Sequence, residues 1–310
     1  MTDRIPVSVV IPAHDAERFL AGTIESALGQ TLRPLEVLVV DDGSRDATGK
    51  VASSFRPPVR VLQGEGRGVS AARNLGMAAA RGEWIAWLDH DDLWEPDKLE
   101  RQARMVTEDS DAVMVFTQAR VEPVDGMAAE PPGIFPLIDD PVRLLEDPLV
   151  ELAHWNFVPM SSVMTSRAAL RELDGPFDTR YHLSEDWDLW LRVARRHPRG
   201  LRYVDAPLTR YRIVAGRATR RMGDLRLEDI AIFEELMRSC PGLLESDPRR
   251  CRDTRHRLRR EAGYWLLKEG RGTEAREHLK EAWRLRPGSL RPLGLLAASL
   301  LPGAGRPGGD

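Results

Sequence analysis

Short β-branched runs alternate with longer stretches of helical spacing along the first third of the chain. Val7-Ser8-Val9-Val10-Ile11, stopped by Pro12, predicts a buried first strand. Residues 16–30 then carry Phe19, Leu20, Ile24, Ala27 and Leu28 at helical spacing. Glu36–Val40 predicts a second strand that ends in Asp41-Asp42-Gly43-Ser44. A third strand, Val59–Leu62, leads through a glycine-rich loop, Gly64–Gly68, into an alanine-rich helix, Val69–Ala80, that contains Arg73 and Asn74. The stretch from Trp84 to Trp94 follows. Its apolar run, Ile85–Leu88, comes after Gly82, predicts a strand buried on both faces, and stops at Asp89, Asp91 and Asp92. A helix from about Pro96 to Val106 and a fifth strand, Ala112–Phe116, complete the series. Strands and helices alternating over short connections predict an α/β fold, a Rossmann-like and mostly parallel sheet with helices on both faces.

The pattern then loosens. Glu122–Pro141 is rich in Pro, Gly and acids and predicts a mobile loop. A strand is expected near Ser162–Thr165, a turn over Leu173–Asp178, and an amphipathic helix entered through Ser184-Glu185-Asp186. Beyond Arg226 the composition turns helical. Gly263, Gly270, Ala275, Leu279, Ala282 and Pro287 fall at the spacing of one tetratricopeptide-like hairpin. Leu293–Leu301 is apolar, and Pro302–Asp310 is expected to be disordered. The predicted organisation is a domain over 1–222, with halves near 1–117 and 118–222, followed by a small α-helical C-terminal region over 223–310.

Composition narrows the class. A formal net charge of −3 lacks the basic excess of a general nucleic-acid binder. Cys240 and Cys251 have no metal-ligand spacing and form no disulfide framework. The N-terminus does not read as a signal peptide, and no window reaches the roughly 18 apolar residues of a membrane span. A cytoplasmic protein is the default, with the inner face of the membrane as the alternative placement. Arginine outnumbers lysine 41 to 4, which suggests a GC-rich bacterial source. Arg249–Arg260 holds seven arginines in twelve residues, read as a solvated helical face or as contact with an anionic surface.

Acids that end parallel strands lie on one edge of the sheet, where open α/β sheets bind ligands. Asp41, Asp42, Asp89 and Asp91 are therefore expected around one crevice. Asp89 and Asp91 suit a hard divalent cation that bridges to substrate phosphates. Helix capping is the competing account, and it serves Asp92 and Glu95 without requiring Asp89 and Asp91. For Glu185 and Asp186, capping of the helix that follows Ser184 remains an equal reading.

Five segments together resemble the family 2 glycosyltransferases of the GT-A fold. They are Val9–Asp15, Val39–Ser44, Ala71–Asn74, Leu88–Asp92 and Glu185–Leu189, in the family's order across roughly residues 5–215. The resemblance implies that Pro12, Ala13 and Asp15 of the first segment, with Asp41 and Asp42, line the nucleotide base pocket. Arg73, Asn74, Asp89, His90 and Glu185 would sit near the nucleotide-sugar donor. Asp91, with Asp89, would bind Mg²⁺ or Mn²⁺, and Asp186 would be the general base. The implied reaction is inverting, metal-dependent transfer from a nucleoside-diphosphate sugar, UDP-linked, to the hydroxyl of a carbohydrate, lipid-linked or small-molecule acceptor. Surface polysaccharide, glycolipid or natural-product glycosylation would be its setting.

Asp15 stands where the family often has asparagine, and Val214 where a histidine commonly follows Tyr211-Arg212; Arg217, Arg220 or Arg221 could take over its job. The Gln-x-x-Arg-Trp signature of processive synthases is missing, which favours single addition. A nucleotidyltransferase would carry a Gly-x-Gly-x-x-Arg loop, which Pro12-Ala13-His14-Asp15 does not supply. The non-enzyme alternative is a degenerate nucleotide-sugar-binding or scaffold protein. The C-terminal helices could hold a protein partner or a membrane surface.

Overall fold

The computed structural model describes residues 5–124, 134–135, 145–213 and 221–299. The chain divides into two compact units, Met1–Ile213 and Val214–Asp310.

The first unit is built on one nine-stranded sheet. Strands β1 (Val7–Ala13), β2 (Glu36–Asp41), β3 (Val59–Gln63) and β4 (Trp84–Trp87) pair in parallel in the order β3-β2-β1-β4. Beyond β4 come β8 (Met164–Ser166), β6 (Met114–Pro123), β9 (Leu201–Ile213) and β5 (Leu93–Trp94), with β7 (Ile134–Phe135) on β6. Strand β8 runs antiparallel to both β4 and β6, and β9 runs parallel to β6. Six strands thus point one way, the mostly parallel α/β arrangement that the alternation predicts.

Period-two burial explains the layers. Val7, Val9, Ile11, Val37 and Val39 face Leu20, Ile24 and Ala27 of α1 (Leu20–Leu28), Ala52 of α2 (Thr48–Ser53) and Leu99 of α4 (Lys98–Glu108). The alternate residues Val10 and Val40 meet α3 (Val69–Ala79) at Gly76, where a Cβ would stand 2.4 Å from Val10. Both faces are apolar, as a buried parallel sheet requires. Ser8 and Glu36 are buried in the same strands and bonded to each other at 2.8 Å. Helices α5 (Pro148–His154), α6 (Arg167–Arg171) and α7 (Glu185–Arg196) are the unit's remaining α-helices among the described residues.

Several elements differ from the sequence reading. The fifth predicted strand is longer, Met114–Pro123, and β9 with its short partner β5 was not anticipated. The register between β6 and β9 shifts at Thr117–Ala119, opposite Val204–Thr209. Burial therefore moves from Leu201 and Tyr203 to Ala206 and Leu208 in mid-strand, which breaks the alternation. Most of the expected loop over 122–141, Val214, Arg217, Arg220 and the tail after 299 lie outside the described residues.

The second unit is helical: α8 (Met222–Ser239), α9 (Pro241–Ser246), α10 (Pro248–Lys268), α11 (Gly272–Leu285) and α12 (Leu290–Ser299). Gly263 lets α10 and α11 approach, since a Cβ there would lie 2.4 Å from Leu279. The arginine run on α10 is more than a solvated face. Arg255 grips Glu234 of α8 with two bonds of 2.8 Å, Arg259 reaches the same carboxylate at 3.5 Å, and Arg257 reaches Glu261 at 3.4 Å. Arg221 pairs with Asp224 at 3.2 Å. No described helix is long and apolar enough to cross a membrane.

Candidate active site

The strand ends place the acids. Ala13 stands opposite Asp41, and the Leu88 amide donates to the Val10 carbonyl, so β1, β2 and β4 finish on a common edge. Two groups of predicted residues form there.

The first group surrounds β2. The Asp42 carboxylate, 5% exposed, accepts amide hydrogens from Gly66, Arg67 and Gly68 at 2.9, 3.3 and 2.7 Å. Glycines allow this wrap: Gly66 and Gly68 have φ of 70° and 94°, which side chains rarely adopt. Asp41 accepts from the Ser44 amide at 3.0 Å, an Asx-type turn. Asp15, at φ 47°, accepts from the Arg45 amide at 2.8 Å. The His14 ring nitrogen Nδ1 lies 2.9 Å from the Asp42 carbonyl oxygen, and His90 Nδ1 lies 3.3 Å from the Pro12 carbonyl oxygen.

The second group is centred on Arg73, only 3% exposed. Its Nη2 donates to Asp89 Oδ1 at 2.6 Å and its Nη1 donates to Glu185 Oε1. One guanidinium thus joins the end of β4 to the first turn of α7. Glu185 spends its carboxylate on Arg73, so simple capping does not account for it. Asn74 instead grips the backbone of Phe177, donating to its carbonyl at 2.8 Å and accepting from its amide at 3.0 Å. That pair anchors the Leu173–Asp178 turn and is structural.

Asp186 is next to Glu185 and partly buried. Its Oδ1 accepts from the Trp187 amide at 2.6 Å and from Asn156 Nδ2 at 3.0 Å. Burial, with the Glu185 charge second, pushes its carboxyl up to about 8; Arg73 and the Trp187 amide pull the other way. Asp92 is buried, and burial beside Asp91 and Asp89 holds its carboxyl well above the usual carboxylate range. It accepts from the Arg212 amide at 3.0 Å, while the Arg212 side chain donates to the Asp91 carbonyl oxygen. Tyr211 is 40% exposed as a residue, yet desolvation of its hydroxyl, then the charges of Asp92, Asp89, Asp91 and Asp186, raise its phenol.

Asn156, Ser161, Tyr211 and Arg212 were not assigned from the sequence. Ser161 Oγ accepts from the Asp89 amide at 3.0 Å, fixing the turn into the acids. Arg212 and Tyr211 could have been found from the alternation Leu208-Thr209-Arg210-Tyr211-Arg212 at a strand end, whereas nothing in the spacing marks Asn156 or Ser161.

The donor set fits a hard divalent cation in part. Asp89 and Asp91 offer carboxylate oxygens at one strand end, of the kind such ions take. Among the described residues no three His, Cys, Asp or Glu side chains form a ready cage. Two carboxylates alone leave most of the coordination to phosphate oxygens and water.

A mostly parallel sheet continued by β8, β6 and β9, with helices on its faces, is the arrangement of the GT-A fold. Solved structures share it. A mannosyltransferase from Pyrobaculum calidifontis, PcManGT, in complex with GDP-Man and Mn²⁺, superposes with TM-score 0.61 at 18% identity, over 96% of this chain and 79% of that one. Staphylococcus aureus TarS 1–349 in complex with UDP-GlcNAc gives TM-score 0.54 at 16% identity, over 95% of this chain and 90% of that one. Residues 8–146 match the family model described as Glycosyl transferase family 2. The putative glycosyltransferase EpsH of Bacillus subtilis is 29% identical over 236 residues, 74% of this chain and 67% of that protein. The chain spans 32% and 58% of the length of two uncharacterized glycosyltransferases from Rickettsia felis and Rickettsia typhi.

Proposed function

We propose that the protein transfers a sugar from a nucleoside diphosphate, UDP in the first instance, to an acceptor hydroxyl, with inversion at the anomeric carbon. The observation that carries this reading is the Arg73 bridge, which sets the acids ending β4 beside Asp186 on α7. Relatives named as glycosyltransferases and neighbours with UDP-GlcNAc or GDP-Man bound support the donor class.

Each residue has a part. The Pro12–Asp15 segment, Asp41 and Asp42 shape the base pocket, Asp42 by holding the Gly64–Gly68 loop closed around its carboxylate. Asp89 and Asp91 would hold Mg²⁺ or Mn²⁺, which when bound supplies Lewis-acid stabilisation of the departing diphosphate. Asp186 receives the acceptor hydroxyl proton as oxygen attacks the anomeric carbon from the face opposite the leaving group. The carbon–oxygen bond to the acceptor forms while the bond to the diphosphate breaks, and one displacement inverts the centre. Asp186 must be ionised for this, so its raised carboxyl ties activity to alkaline pH.

A thermal-shift screen of nucleoside diphosphates and their sugars, with and without Mn²⁺, tests the donor site, because a ligand bound only by the folded state raises its melting temperature. Stabilisation by one nucleotide class that requires Mn²⁺ is expected. Turnover by Asp186→Asn equal to that of the parent protein would remove the base assignment.

A further inference from the structure

The second unit carries a groove of about 590 Å³ between α10 and α12. Tyr264, Leu290, Leu295 and Gly294 form its apolar lining, and Arg260, Glu261 and Arg291 its polar edge. Glu261 is the acid there, and it is neutralised by arginines: Arg226 and Arg257 at 3.4 Å and Arg260 at 3.5 Å. Arg291 has no ion-pair partner among the described residues, and Lys268 lies 5.9 Å from the Tyr264 ring. Leu290 is 79% exposed and Leu293, one turn along α12, is 49% exposed. A basic edge therefore surrounds an apolar floor.

The charge of the whole unit has the same sign. Residues 214–310 contain 20 Lys and Arg against 14 Asp and Glu, whereas residues 1–213 contain 25 against 34. The −3 of the intact chain conceals a formal +6 on the second unit. Exposed leucines flanked by arginines are the composition of a surface that lies in a bilayer interface, where apolar insertion and attraction to anionic lipid add. A free soluble anion would engage the arginines but leave the leucines in water.

We propose that this groove seats the headgroup phosphate and first methylenes of an anionic phospholipid, docking the second unit on a membrane surface. Arg260 and Arg291 meet the phosphate, and Tyr264, Leu290 and Leu295 meet the chain. The inference stands independently of the transferase reading, because it uses no residue of the first unit.

Sedimentation of the full chain with vesicles tests it, using phosphatidylcholine alone or with about one-third phosphatidylglycerol. Binding confined to the anionic vesicles is expected, falling about tenfold in Arg291→Glu and in Gly294→Glu. Gly294→Glu is the safer variant for folding, since a Cβ there meets nothing within 4 Å. Equal binding to both vesicle types, no binding to either, or unchanged binding by both variants would overturn the proposal. So would protection of the groove by inorganic phosphate as strong as that by phosphatidylglycerol, which would make it a free-anion site. Self-association of the parent chain that either variant abolishes would make the occupant a second copy.

Discussion

Asn156 holds Asp186 by a single oxygen: its amide donates at 3.0 Å to the same Oδ1 that the Trp187 amide meets at 2.6 Å. The other carboxylate oxygen, Oδ2, makes neither of these two bonds. A donor to the ionised form favours that form, so Asn156 both aims Asp186 and eases its deprotonation. Asn156→Ala is expected to lower kcat about tenfold, the value of one hydrogen bond to a charged group. The rising limb of its pH profile should also move to higher pH, which a purely structural role for Asn156 would not cause.

Asp186 should also shape stability. Its carboxyl ordinarily titrates near 3.8 and is raised to about 8 in the folded protein. Between those values the folded state holds a proton that the unfolded chain has released. Its contribution is complete at low pH and is lost as pH rises through the folded value. Asp186→Asn can accept the same two hydrogen bonds without that penalty. The variant's advantage in melting temperature over the parent should be several degrees larger at pH 9 than at pH 5, read by calorimetry. A gain of equal size at both pH values would refute the assignment.

The legible part of this molecule is the part whose order lies along the chain. Val9–Ile11, Val37–Val40 and Ile85–Leu88 are unbroken apolar runs ending in Pro or Asp, so strands, direction and acids could all be read from them. Strand β9 could not, because the register shift near Pro207 changes which alternate residues are buried. Partnership was hidden for a different reason. Arg73 was visible as a donor-side residue, but its partner Glu185 is 112 residues away, and only the fold shows the guanidinium committed to two acids. Asn156 carries no local signal, since its function exists only where α7 begins beside it.

Arg73 is therefore expected to be as much a tie as a ligand. Removing one member of a buried ion pair costs about 3–5 kcal/mol, because the remaining charges lose their partner. Arg73→Met leaves Asp89 and Glu185 facing each other and should lower the melting temperature by on the order of 10 °C. Arg73→Lys retains the charge, but one ammonium lacks the planar fork that spans both carboxylates. It should recover part of the stability and little of the activity. Full recovery of kcat by lysine would show that charge alone is needed.

The glycine-rich loop gives a test of the base pocket that leaves Asp186 untouched. A Cβ at Gly64 would stand 2.5 Å from Asp42 Oδ1 and 3.1 Å from the Asp42 Cα, so either the loop or the acid must move. The three amides that Asp42 gathers would then lose their common acceptor. Two of the three bonds are 2.9 Å or shorter, the length of strong charge-assisted bonds, and losing one costs about 1.5–3 kcal/mol. Gly64→Ala should therefore weaken UDP binding by about tenfold or more in a calorimetric titration. Because Asp186 and its partners lie outside the loop, the same variant at saturating donor should keep a kcat within a few fold of the parent. If affinity for UDP were unchanged while the loop was shown to have shifted, Asp42 and the loop would not form the base pocket.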